Sequence, residues 1–82
     1  MAKEYTLGHI WGVRTTLRKK FGKRFKALRL ATGLSQEAFA DRCGFARSYM
    51  SRIERGWANP SLDAIETLAG ALKIPVKSLF ED

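Results

Sequence analysis

From Leu17 to Phe80 the apolar residues recur at helical spacing, and glycines and prolines interrupt the runs. Leu17, Phe21, Phe25 and Leu28 return every three or four residues, with mostly Lys or Arg between them. That is the pattern of an amphipathic first helix with a basic outer side, starting near Thr16. Gly22 weakens it locally, and Gly33 ends it. Phe39 and Cys43 share one face of a second helix headed by Ser35, whose hydroxyl suits an N-cap. Gly44 stops this helix where a residue at positive φ is needed, and Phe45, Met50 and Ile53 resume in a new phase. Ala40 is small where the next helix must cross closely. Two short helices around one glycine satisfy the packing needs of a helix-turn-helix. Beyond Gly56, Asn59-Pro60 is turn chemistry and Ser61 caps a helix whose inner stripe is Leu62, Ile65, Leu68, Ala69 and Leu72. Pro75 opens a last short helix with Val76, Leu79 and Phe80. The expected fold is all-α, a compact bundle of about five helices.

With Met50 and Ile53 facing inward, the helix at about 46–55 turns Arg47, Ser48, Ser51, Arg52 and Arg55 outward, with Tyr49 at the flank. Short polar and guanidinium groups at a helix's leading end suit the major groove of DNA. An arginine can donate two bonds to guanine O6 and N7, worth about 1–3 kcal/mol of discrimination. Arg47, Ser48 and Arg52 are the candidates for base edges, and Tyr49 for a thymine methyl or a phosphate.

Charge sharpens the picture. The 82 residues carry 15 Lys and Arg against 8 Asp and Glu, a formal net charge of +7. The excess lies in residues 1–30, where nine basic groups (Lys3, Arg14, Arg18, Lys19, Lys20, Lys23, Arg24, Lys26, Arg29) face Glu4 alone. Residues 31–82 hold six basic and seven acidic groups, a net of −1. Such asymmetry points to a polyanionic partner. Nucleic acid fits better than membrane, because no apolar run approaches the ~20 residues a span requires. Residues 1–15, with Gly8 and Gly12 around His9, Ile10 and Trp11, are expected to be a flexible arm ahead of a 16–82 domain.

Catalytic chemistry is not expected. His9 and Cys43 lie in unrelated segments, neither has partners at metal-ligand spacing, and no phosphate-cradling loop is present. No cofactor or metal is called for. Cys43 is expected to be a small core residue. Met1 to Gly8 lacks the apolar stretch of a signal peptide, so a cytoplasmic, nucleoid-associated protein is expected.

Leu34-Ser35-Gln36-Glu37, Arg47 to Gly56 and Asn59-Pro60-Ser61-Leu62 together resemble the XRE family, the Cro and phage-repressor type of helix-turn-helix regulator. The likeness runs from about Phe21 to Phe80, and the Arg47-Ser48-Tyr49 opening is also similar to restriction–modification controller proteins. It implies a lambda-repressor-like DNA-binding domain and a homodimer on a palindromic operator, with half-sites about 10 base pairs apart. It also implies that Gln36 holds a phosphate, helped by its helix dipole, and that Arg29 pairs with Glu54 inside the domain. Arg55, Trp57 and Asn59 are candidates for the sugar–phosphate backbone. Ile74, Val76, Leu79 and Phe80 offer apolar surface for a two-fold contact. Three positions depart from the pattern: Ala46 lacks the usual capping hydroxyl, Trp57 replaces a polar residue, and Lys73 stands where glycine or asparagine is common. The output of such a regulator is repression, or activation through contact with RNA polymerase. Two other readings share the fold: an antitoxin that binds a toxin and regulates itself, and an RNA- or ribosome-associated adaptor.

Overall fold

A computed structural model describes residues 7–81, with side chains from residue 17 onward. Among the described residues are four α-helices and a terminal 3-10 helix. They are α1 (Leu7–Thr32), α2 (Gln36–Cys43), α3 (Arg47–Glu54), α4 (Leu62–Leu72) and the 3-10 helix Val76–Phe80. The fifth helix of the expected bundle is thus a single 3-10 turn. Its five residues make one short turn, in which the Ser78 amide donates to the Pro75 carbonyl at 3.0 Å, the i→i+3 bond of that geometry.

One boundary differs from expectation. The first helix begins at Leu7, not near Thr16, so residues 7–15 of the expected arm are helical. Gly8 and Gly12 each cost a helix only about 1 kcal/mol, less than the cost of nucleating a new one elsewhere. Residues 1–6 of that arm lie outside the described residues.

The other boundaries follow local chemistry. Ser35 and Ser61 accept hydrogen bonds from the Ala38 and Ala64 amides at 3.0 Å, capping α2 and α4. Gly33, Gly44 and Gly56 adopt positive φ where α1, α2 and α3 end. Lys73 ends α4 in the left-handed region at φ 60°, the one non-glycine residue to do so among those described. That geometry costs an L-residue roughly 1–2 kcal/mol, and the amide of Ile74 offsets part of it by donating to the Ala69 carbonyl at 3.1 Å.

Phe21, Phe25, Phe39, Ala40, Met50, Ile53, Leu68, Ala69 and Leu79 form the core. Phe25 and Phe39 meet edge to face, ring centres 5.4 Å apart. Two expected inner positions and one expected interface position are corrected. Leu17 is half exposed, at the outer lip of a groove between α1 and the 3-10 helix. Leu62 is 84% exposed, because it opens α4 ahead of the stripe that Ala64, Ile65, Leu68 and Ala69 form. Leu79, read as interface, is fully buried and closes the core instead. Cys43 is half buried against the core, and burial pushes its thiol above the usual range while the neighbouring Arg42 pulls it down.

Gly22 has a role that periodicity does not show. It is not a weak point in α1 but the place where α1 touches α3. A Cβ there would strike the Ile53 carbonyl oxygen and stand 2.8 Å from that of Glu54. Only a bare Cα lets the two backbones approach so closely.

Candidate nucleic-acid interface

Helix α3 is eight residues long and anchored from beneath by Met50 and Ile53, both essentially without solvent exposure. With that face fixed, Arg47, Ser48 and Arg52 emerge into solvent, and Ser51 is half buried. Tyr49 is also half buried, its ring edge-on to Phe45 with centres 5.2 Å apart. It therefore stands at the flank, held by packing. Among the described residues, no carboxylate forms an ion pair with Arg47 or Arg52.

The two ends of α3 are built differently. Ala46 occupies the N-cap in extended conformation and provides no side-chain cap bond, so the amides of the first turn keep no capping acceptor. The C-terminus is closed tightly. Gly56 donates to the Ile53 carbonyl at 3.1 Å and Trp57 to the Arg52 carbonyl at 2.8 Å, the paired bonds of a Schellman ending.

Behind the exposed face lies a polar network that ties four segments together. Arg29 of α1 donates through Nε to Glu54 Oε2 at 2.6 Å and through Nη2 to Oε1 at 3.1 Å. Its Nη1 donates to the Leu34 carbonyl in the α1–α2 turn at 2.8 Å. Both charged side chains are almost wholly buried, at 6% and 3% exposure. Gln36, the first residue of α2, donates to Glu54 Oε1 at 3.1 Å, and its own Oε1 accepts from Arg47 Nη1 at 3.4 Å. The chain Arg29–Glu54–Gln36–Arg47 thus runs from the interior to the first residue of the exposed face. The family resemblance implies a phosphate contact for Gln36. In the free protein its side chain is engaged inward, a link that spacing alone does not reveal.

Arg55, Trp57 and Asn59 are exposed along the segment that leaves α3. The Arg55 guanidinium stacks 4.8 Å from the centre of the Trp57 ring. Of the expected two-fold surface, Val76 and Phe80 are 42% and 49% exposed. Ile74 is half buried against the core. The Phe80 ring leans on Phe21 at 5.2 Å. Arg24, counted above with the basic outer side, is turned to structural use. It donates to the Ser78 carbonyl at 2.9 Å and pairs with Glu81 at 3.6 Å. Among the described residues no group of His, Cys, Asp and Glu has metal-binding geometry, and no helix is long and apolar enough to cross a membrane.

A family model described as a helix-turn-helix domain matches residues 20–78. The control protein C.BamHI of Bacillus amyloliquefaciens is 41% identical over 66 residues, covering 79% of this chain and 82% of that protein. An immunity repressor of Bacillus phage phi105 is 43% identical over 58 residues, 71% of this chain, which spans only 40% of the repressor's length. Among solved structures, the restriction–modification controller protein C.AhdI from Aeromonas hydrophila superposes with a TM-score of 0.74 at 50% identity. The match covers 76% of this chain and 94% of the controller. The chain belongs to the helix-turn-helix domain family.

Proposed function

We propose that the protein is a sequence-specific transcriptional regulator of the repressor or controller kind, binding duplex DNA through α3. One observation carries the reading: Met50 and Ile53 seat α3 in the core so that Arg47, Ser48 and Arg52 leave the surface together from its outer face. Arg47, Ser48 and Arg52 read base edges and Tyr49 bears on a thymine methyl or a phosphate. Gln36, Arg55 and Asn59 meet the backbone, with Trp57 beside Arg55 on the same segment. The likeness to controller and repressor proteins supports this assignment.

The test begins with selecting bound duplexes from a random pool, which yields the operator. Arg47→Ala or Arg52→Ala should then weaken binding to that operator by about 1–3 kcal/mol and relax preference at one position each. Retention of full sequence preference by both variants would sink the assignment of base contacts.

One helix reads too few base pairs to find an operator, and two copies on a palindrome supply the rest. The second copy is proposed to cover Val76 and Phe80, with Ile74 behind them and Leu17 of α1 across the groove. A cavity of about 420 Å³ at this point, walled by Leu17, Phe21, Leu79 and Phe80, offers room for a partner's side chains. Val76→Glu should shift the sedimentation coefficient towards that of a monomer at micromolar protein. An unchanged coefficient would reject this surface.

A further inference from the structure

We propose that Lys19 of α1 joins Arg55 and Trp57 in one patch that grips the sugar–phosphate backbone of duplex DNA, with Trp57 a positioning residue for Arg55. The proposal rests on the reading of α3 as the DNA-entering helix, and it adds a contact from a different element.

Three observations carry it. First, α1 passes the exit of α3 at close range. A Cβ on Gly56 would lie 2.8 Å from the Cα of Lys19 and 2.9 Å from its Cγ. The Lys19 stem therefore rests against the residue that separates Arg55 from Trp57, and Gly56, held at φ +76°, is the only residue type that leaves it room. Second, the patch is open and its charge is unspent. Lys19 and Arg55 are exposed and, among the described residues, neither forms an ion pair, whereas Arg24 and Arg29 both do. Third, Trp57 is 60% exposed although it is the largest side-chain type. Its backbone is pinned by the bond to the Arg52 carbonyl, and its ring lies under the Arg55 guanidinium. A flat ring beneath a flat cation restricts that cation's rotamers before any ligand arrives, so less entropy is lost when the fork meets a phosphate.

The same helix provides an internal control. Lys23 follows Lys19 by one helical turn, so it stands on nearly the same side of α1, about 6 Å farther along the axis. Lys23 lines the groove beside Leu79 and Phe80, whereas the atoms nearest a Cβ on Gly56 belong to Lys19. Lys19 and Lys23 carry equal charge, so a general loss of positive potential affects both alike. Only a local contact separates them.

The measurement is fluorescence anisotropy with the selected operator duplex, titrated between about 50 and 200 mM salt. Each phosphate contact contributes about 0.9 to the slope of log affinity against log salt. Lys19→Gln, which keeps the stem, and Arg55→Ala should each flatten the slope by about 0.9, a loss of about eightfold at 0.1 M salt. Lys23→Gln should flatten it by less than half as much. Trp57→Ala should reproduce most of the Arg55→Ala loss without moving the thermal midpoint, Trp57→Phe should restore it, and the double variant should bind no worse than Arg55→Ala alone. Equal slopes for the Lys19 and Lys23 variants would overturn the α1 contact. Multiplying losses in the Arg55 and Trp57 double variant would overturn the positioning role. A wild-type protein that binds no duplex above background overturns this proposal together with the regulator reading, whereas a wild type that keeps its sequence preference confines any failure to the patch.

Discussion

Glu54→Ala should lower folding stability by about 3–5 kcal/mol, the cost of stranding a buried guanidinium whose partner has gone. Arg29 has no route to solvent: its side chain is 6% exposed, and two of its three nitrogens donate to the Glu54 carboxylate. Each kcal/mol moves the melting midpoint of a domain this size by about 4–8 °C, so a fall of roughly 12–40 °C is expected. The domain is small enough that such a loss takes a large share of its total stability. Glu54→Gln separates charge from packing, because it keeps the volume and removes the anion. Replacing both partners with apolar residues, Arg29→Met with Glu54→Leu, should recover much of what the single change loses. An Ala variant that melts with the wild type would show that the pair contributes nothing. The same change also removes the acceptor for Gln36, and with it the anchor of the Gln36–Arg47 link.

Gly22→Ala is the second large effect, and its direction opposes what helix propensity predicts. Alanine in an exposed helix interior gains about 1 kcal/mol over glycine. At Gly22 the added methyl meets two carbonyl oxygens of α3, and those are backbone atoms that cannot rotate aside. Overpacking of this kind costs typically 1–3 kcal/mol and more where nothing yields. A net loss of about 2 kcal/mol or more is therefore expected by urea denaturation. Gly70, in the last turn of α4, has no heavy atom within 4 Å of the equivalent position. Gly70→Ala should stabilise by about 0.5–1 kcal/mol. Changes of the same sign at the two glycines would refute the close-approach account.

These two positions mark where sequence stops being informative. The capping serines, the positive-φ glycines and the two-sided character of α3 were readable, because each depends on residues within a few steps along the chain. The Arg29–Glu54 pair was readable only through family resemblance, since nothing local joins positions 25 residues apart. Gly22 was misread because its reason lies on another helix. Leu62 and Leu79 exchanged environments for a similar cause. Periodicity assigns a face, while burial depends on what stands opposite, and the start of α4 faces water whereas Leu79 faces the core. The Gln36–Arg47 link and the inward use of Arg24 needed three-dimensional contact and left no mark on spacing.

The unequal ends of α3 have a dynamic consequence. Protons on the Arg47 and Ser48 amides have no intrahelical acceptor, and Ala46 adds none, so that tip should fray and exchange with solvent quickly. The trailing end is clamped by Gly56 and Trp57 and should exchange slowly. A rod that is loose at its point and stiff at its base can settle its leading turn after first touch, so small misalignments on approach need not expel the whole domain.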